Sequence, residues 1–132
     1  MPEKPAGSSE NQTIRLSWPP SQNALWRAFR GRNILSVAGR EWYVTAASEL
    51  MAQRAVKMTG PVEIEVELAA PTKRRYDPDN KIKAIFDSLV KSAIIEDDSN
   101  LIVRRYSVIV RDGGFQGARV TIRGLGHEEQ DT

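Results

Sequence analysis

Between Gly60-Pro61 and Pro71 the chain alternates Val62, Ile64, Val66 and Leu68 with Glu63, Glu65 and Glu67. Successive side chains leave a strand on opposite faces, so this run dictates a half-buried strand with an acidic outer face. Its apolar face needs cover, and the next periodic segment supplies it. Ile82, Ile85, Phe86, Leu89 and Val90 share one stripe of a helix predicted over residues 80–92. Upstream, Ser36 reads as the cap of a helix predicted over 38–58, with Trp42, Ala46, Leu50 and Met51 on its inner stripe. Ile14, Leu16 and Trp18 alternate through a strand over 13–18 that Pro19-Pro20 stops. Residues 21–33 read as a loop and 33–37 as a short strand. Residues 101–110 and 116–123 read as two strands of a hairpin turning at Asp112-Gly113-Gly114. The order strand, helix, strand, helix, strand, strand predicts an α+β domain: a small mixed β-sheet with two main helices packed on it. Residues 1–12 are expected to form a flexible leader, 13–123 the domain and 124–132 a polar tail.

Composition narrows the chemistry such a domain can perform. With 132 residues the chain makes one domain with a core of its own. It has no cysteine and one histidine, His127. Disulfides, thiolate metal sites, histidine-built zinc sites and serine or cysteine triads are therefore excluded within one chain. What remains is oxygen-ligand chemistry, which suits Mg²⁺ or Mn²⁺. Net charge is only +2, but the basic residues are gathered: Arg27, Arg30 and Arg32; Lys73, Arg74 and Arg75; Arg104 and Arg105. Such clusters suit phosphate. No apolar run is long enough for a membrane span and no signal peptide opens the chain, so a cytoplasmic protein is expected.

The segment that concentrates this chemistry is Arg74-Arg75-Tyr76-Asp77-Pro78-Asp79-Asn80-Lys81-Ile82-Lys83, followed by Glu96-Asp97-Asp98. Two carboxylates one residue apart repel each other unless a cation stands beside them. Asp77-Pro78 could instead do no more than start a helix, since Asp is a good N-cap and Pro a good first residue. If Pro78 holds Asp77 extended, Asp77 and Asp79 point the same way and could share an ion. Asp79, Lys83, Asp87 and Lys91 recur every fourth residue, which makes an ion-pair ladder. Lys83 would also lie one turn from Asp79, within reach of a metal-held phosphate. A helix of about 20 Å separates Asp79 from the acidic cluster, and the residues beyond it are just long enough to bring Asp98 back; the alternative is that a partner subunit supplies the third carboxylate. Asp97 is the reserve ligand. The glutamates of the alternating strand are accounted for by the alternation alone.

These residues resemble the RusA family of Holliday-junction resolvases. The likeness is carried by Leu16-Ser17-Trp18-Pro19-Pro20-Ser21-Gln22-Asn23, by Arg30-Gly31-Arg32 with Ser36, and by Arg75-Tyr76-Asp77-Pro78-Asp79-Asn80. It continues through Lys83, Phe86-Asp87-Ser88-Leu89 and Asp97-Asp98, and covers residues 13–123. The resemblance implies a homodimeric, Mg²⁺-dependent endonuclease, with Mn²⁺ as a possible substitute. Such an enzyme nicks four-way DNA junctions symmetrically during recombination and repair, leaving 5′-phosphate and 3′-hydroxyl ends, in bacteria or their phages. It implies metal ligation by Asp77, Asp79 and Asp98 and a functional Lys83. Around these, Asn23, Arg27, Arg30, Arg32, Lys73, Arg74, Arg75, Asn80 and the auxiliary Lys81 are expected to contact DNA. Trp26 and Phe29 could stack on bases, but packing beneath a loop is the expected role of both. Two other readings compete: a junction- or duplex-binding accessory module whose carboxylates only cap a helix, and a metal-dependent phosphoesterase for small nucleotides.

Overall fold

The structure, a computed structural model, describes residues 11–21, 24 and 26–126. Asn23 and His127 lie outside these. The elements in order are β1 (Asn11–Leu16), β2 (Trp26–Phe29), β3 (Arg32–Leu35), α1 (Val37–Ala52), β4 (Val62–Ala69), α2 (Pro78–Lys91), β5 (Val103–Arg111) and β6 (Gly117–Gly124). The architecture is α+β. A four-stranded mixed sheet has the order β1-β6-β4-β5, and β2–β3 form a separate two-stranded ribbon.

β4 is the centre of the sheet because both neighbours need it. It runs antiparallel to β6 and parallel to β5, and the parallel pair is joined through α2. Val62, Ile64, Val66 and Leu68 are fully buried on one face, as the alternation requires. Against them pack Ile14 and Leu16 of β1, Val120 and Ile122 of β6, Trp42, Ala46 and Leu50 of α1, and Ile85 and Leu89 of α2. Met51 is exposed and does not belong to that stripe.

The predicted hairpin of the last two strands is replaced by a wider arrangement. β5 and β6 flank β4 instead of pairing with each other. The link around Asp112-Gly113-Gly114 therefore bridges two interstrand spacings, roughly 10 Å, which a two-residue turn cannot span. The loop expected over 21–33 contains β2 and most of a hairpin with β3. β1 starts at Asn11, ahead of the expected strand, because Gln12 is tied by its side chain to both backbone groups of Val56. α1 stops at Ala52, short of the expected 58. Gln53 caps it and Arg54 takes a left-handed conformation (φ 58°), a position usually marked by glycine. Met58 then buries itself and its N–H donates to the Ile94 carbonyl.

Candidate active site

α2 positions most of the chemistry. Asp77 is its N-cap, with extended backbone (φ −94°, ψ 118°), and Pro78 is its first residue. An N-cap aspartate ordinarily accepts from the helix amides with its side chain, yet the Asp77 carboxylate makes no such bond. The helix-start explanation thus accounts for Pro78 but leaves the Asp77 oxygens unspent. Asp79 is already helical, so the extended Asp77–Asp79 pair expected from sequence is not formed. Asp79 lies in the first turn instead, where its charge meets the positive end of the helix. Both aspartates are exposed.

Asp77 opens onto a cleft of about 500 Å³ lined by Trp18, Pro19, Arg74, Arg75, Asn80 and Lys81. A second cleft, about 900 Å³, adjoins it through Ala70, Pro71, Thr72, Arg74 and Tyr76 and adds Lys73 and Arg111. The predicted basic connector 73–75 therefore lies beside the first acid of the motif. Asn80 lines the same cleft, its N–H donating to the Asp77 carbonyl at 3.2 Å. Lys81 differs from its expected role on the surface. It is only 4% exposed, its Nζ donates to the Pro19 carbonyl at 2.8 Å, and it lies 5.0 Å from the centre of the Trp18 ring. Burial pushes its pKa below the usual lysine range. Trp18 in turn meets Tyr76 edge-on at 4.8 Å. Lys81 thus ties the opening Trp18-Pro19 segment to the first turn of α2, directly behind Asp77.

The chain does double back. Asp98 Oδ2 lies 3.7 Å from Lys83 Nζ, and the same ammonium is 3.4 Å from Asp87 Oδ1. Of the predicted ladder, the Lys83–Asp87 rung forms. Asp98 and Asp87 share a pocket of about 280 Å³ with Tyr43, Lys91, Trp26, Leu35 and Val90. The Tyr43 hydroxyl donates to Asp87 at 3.4 Å. Burial, then the charge and hydrogen bond of Asp87, push the Tyr43 pKa up to about 12. Asp97 is engaged locally, accepting from the Asp98 N–H at 2.9 Å. Arg27, Arg30 and Arg32 all stand on the β2–β3 ribbon.

The sequence did not single out Tyr43 or assign Asp87 more than a ladder role. Asp87 could have been found, since it is two turns beyond Asp79 on the Lys83 face. Tyr43 could not, because it comes from another helix.

As donors, Asp77, Asp79 and Asp98 suit a hard divalent cation. Among the described residues, however, no group of three or more acidic or histidine side chains is assembled to hold one ion. Mg²⁺ does not demand such a cage. It is commonly held by one or two carboxylates, with water and substrate phosphate completing the shell.

Comparison with known proteins decides the family. The model of the RusA family, described as endodeoxyribonuclease RusA, matches residues 17–123. The chain belongs to the RusA family. It is 34% identical over 119 residues to the crossover junction endodeoxyribonuclease RusA of Escherichia coli, covering 88% of this chain and 97% of that one. The RusA protein of Shigella sonnei matches to the same extent. That of Enterobacteria phage 82 is 34% identical over 118 residues, 87% of this chain and 96% of its own. The RusA match thus spans β2 through β6 and includes every acid named above.

Proposed function

We propose that this protein is a structure-specific endodeoxyribonuclease that cuts four-way DNA junctions with the help of Mg²⁺, through a domain spanning residues 13–123. One observation carries the reading most. In a chain of the RusA family, Lys83 stands one turn from Asp79 on α2 and its ammonium reaches both Asp87 and Asp98, so an acid from beyond the helix is drawn to the Lys83 face. The names of the relatives support the substrate class.

On this reading Asp77, Asp79 and Asp98 would hold the cation. When bound, the ion would supply charge stabilisation to the phosphate and a more acidic water. The protein's own groups do the rest. Lys83 is one turn from Asp79 and exposed, so its ammonium can leave Asp87 and Asp98 to meet the charge that grows on the phosphate. Arg74 and Arg75 line the Asp77 cleft and steer the backbone into it. Mn²⁺ would substitute, because it accepts the same ligands. A junction is a two-fold object, so a homodimer would bring two equal sites to it.

The test is cleavage of a synthetic four-way junction against matched duplex, with and without Mg²⁺. The Asp79→Asn variant should bind the junction normally and lose at least about 100-fold in cutting rate, a typical cost of removing one charge-stabilising group. Normal cutting by that variant would remove Asp79 from the site. The incomplete acid group favours one rival, an accessory module that binds branched DNA without cutting. That rival predicts junction affinity and no Mg²⁺-dependent nick by the intact protein.

A further inference from the structure

The β2–β3 ribbon is built to be seen. Every residue of β2 is exposed, including Trp26 at 40% and Phe29 at 46%. Its tip is a two-residue turn, Arg30-Gly31, with both residues left-handed (φ 49° and 76°), the geometry that keeps a tight hairpin twisted with its strands. A Cβ placed on Gly31 would meet nothing within 4 Å, so the tip stands in open space. Phe29 is the last paired residue before it, opposite Arg32. The guanidiniums of Arg27 and Arg30 lie 5.4 and 5.2 Å from its ring centre. Three arginines on so small a ribbon repel one another, and a polyanion relieves that repulsion.

The foot of the ribbon is tied to the acid pocket. Trp26 and its cross-strand partner Leu35 line the pocket that holds Asp87 and Asp98. Ser36 secures that foot by donating to the Ala24 carbonyl while capping α1 through the Gly39 N–H. Phe29 comes three positions after Trp26, so the two rings leave opposite faces of the strand roughly 10 Å apart. That is about three base steps. In duplex DNA every base face is covered by its neighbour. A projecting ring flanked by arginines finds a bare face only where the stack is interrupted.

We propose that Phe29 is a stacking wedge for a base exposed at the branch point of a four-way junction, with Arg27 and Arg30 gripping the adjoining phosphates. The proposal rests on the junction-nuclease reading and adds how branched DNA is told from duplex. It is tested by binding, with Ca²⁺ in place of Mg²⁺, of the full-length protein to a four-way junction and to the matched duplex. The junction carries 2-aminopurine at its branch point. Losing one stacked base should weaken junction binding of Phe29→Ala roughly 5- to 150-fold, leave duplex binding unchanged and abolish the fluorescence change at the branch. Phe29→Trp should restore all three, and Phe29→Leu should not, since it keeps apolar bulk without a ring. Arg27→Ala should weaken both DNAs alike and lower the salt slope by about 1. Equal losses of Phe29→Ala on both DNAs, no loss on either, or rescue by Phe29→Leu would overturn the wedge. A melting temperature like that of the parent confirms that the exposed tip carries no fold. Cutting by the parent protein in Mg²⁺ is scored separately, so a failure of the nuclease reading and a failure of the wedge are distinguishable.

Discussion

Glu67 shows how far one residue can depart from what its pattern implies. The alternation of β4 puts it on the acidic outer face, yet it is nearly as buried as the core. Arg119 and Arg111 close over it at 2.7 and 2.9 Å, and Arg15 and Arg119 both lie over the Phe115 ring. The hydrogen bond from Arg119 chiefly holds its pKa at about 2, against burial, which alone would raise it. A carboxyl whose folded pKa lies below its unfolded one adds stability above the unfolded value, here near 4.5. That stability drains away as pH falls from there towards 2. The amount is on the order of 1–3 kcal/mol, discounted because both arginines are partly solvated. The Glu67→Gln variant should therefore lose roughly that much at pH 6 and show a shallower decline on acidification. Urea unfolding of both proteins from pH 6 to pH 2.5 measures it, and parallel pH curves would show that the charge does not matter. Tyr43 offers a companion check in the alkaline range. Its raised pKa rests partly on Asp87, so Asp87→Asn should move one phenol of the ultraviolet titration down from about 12 towards the ordinary value.

At the scale of elements, the readable parts were those written locally. Val62 to Leu68 announced β4, Ile82 to Leu89 announced α2, and Ser36 did cap α1. Where the chain carries no local signal, the structure departs from what the pattern implies. Arg54 ends α1 in a conformation that sequence assigns to glycine, and nothing in 101–123 reveals that β4 will slide between β5 and β6. The candidate site divides the same way. Asp77, Asp79 and Lys83 fall on one helix and its cap and could be picked out as candidates, whereas Tyr43 reaches Asp87 from another helix. The burial of Lys81 beneath Trp18 depends on a contact 62 residues away in sequence. The junction between β1 and β6 gives a sharp elemental test. Gly117 has φ 110°, and a Cβ there would sit 2.5 Å from the Leu16 carbonyl oxygen. Neither backbone can yield without breaking the Leu16–Ala118 register. The Gly117→Ala variant should cost about 2 kcal/mol or more, read as a drop in melting temperature. A neutral substitution would mean that β1 approaches β6 less closely.

The two edges of the whole sheet are treated differently, and that asymmetry bears on assembly. An open strand edge offers unpaired N–H and C=O groups to another chain, so folds usually blunt it. On the β1 side the blunting is done by α1 and the segment after it. Gln53 pairs with both backbone groups of Arg15, Glu49 receives the N–H and hydroxyl of Ser17, and Gln12 binds Val56. On the other side β5 ends the sheet. It is long, and it carries Tyr106 and Val110 at 59% and 52% exposure, with Leu101 exposed just before it. Apolar side chains along an open edge are costly in water unless something covers them. A second copy of the chain, its β5 antiparallel to this one about a two-fold axis perpendicular to the strand, would cover them and complete the edge at once, giving the two-site assembly that a two-fold junction calls for. The protein should then sediment at twice the 14.8 kDa mass of the chain at micromolar concentration. Placing a charge on that edge with Tyr106→Glu should shift it to monomer without unfolding it, because the Tyr106 side chain is largely exposed and meets Phe86 edge-on. The same variant should still bind duplex DNA through its basic clefts but lose the paired nicks, leaving single-nicked junctions. A dimer that persists in Tyr106→Glu, with nicking still paired, would place the partner on another face.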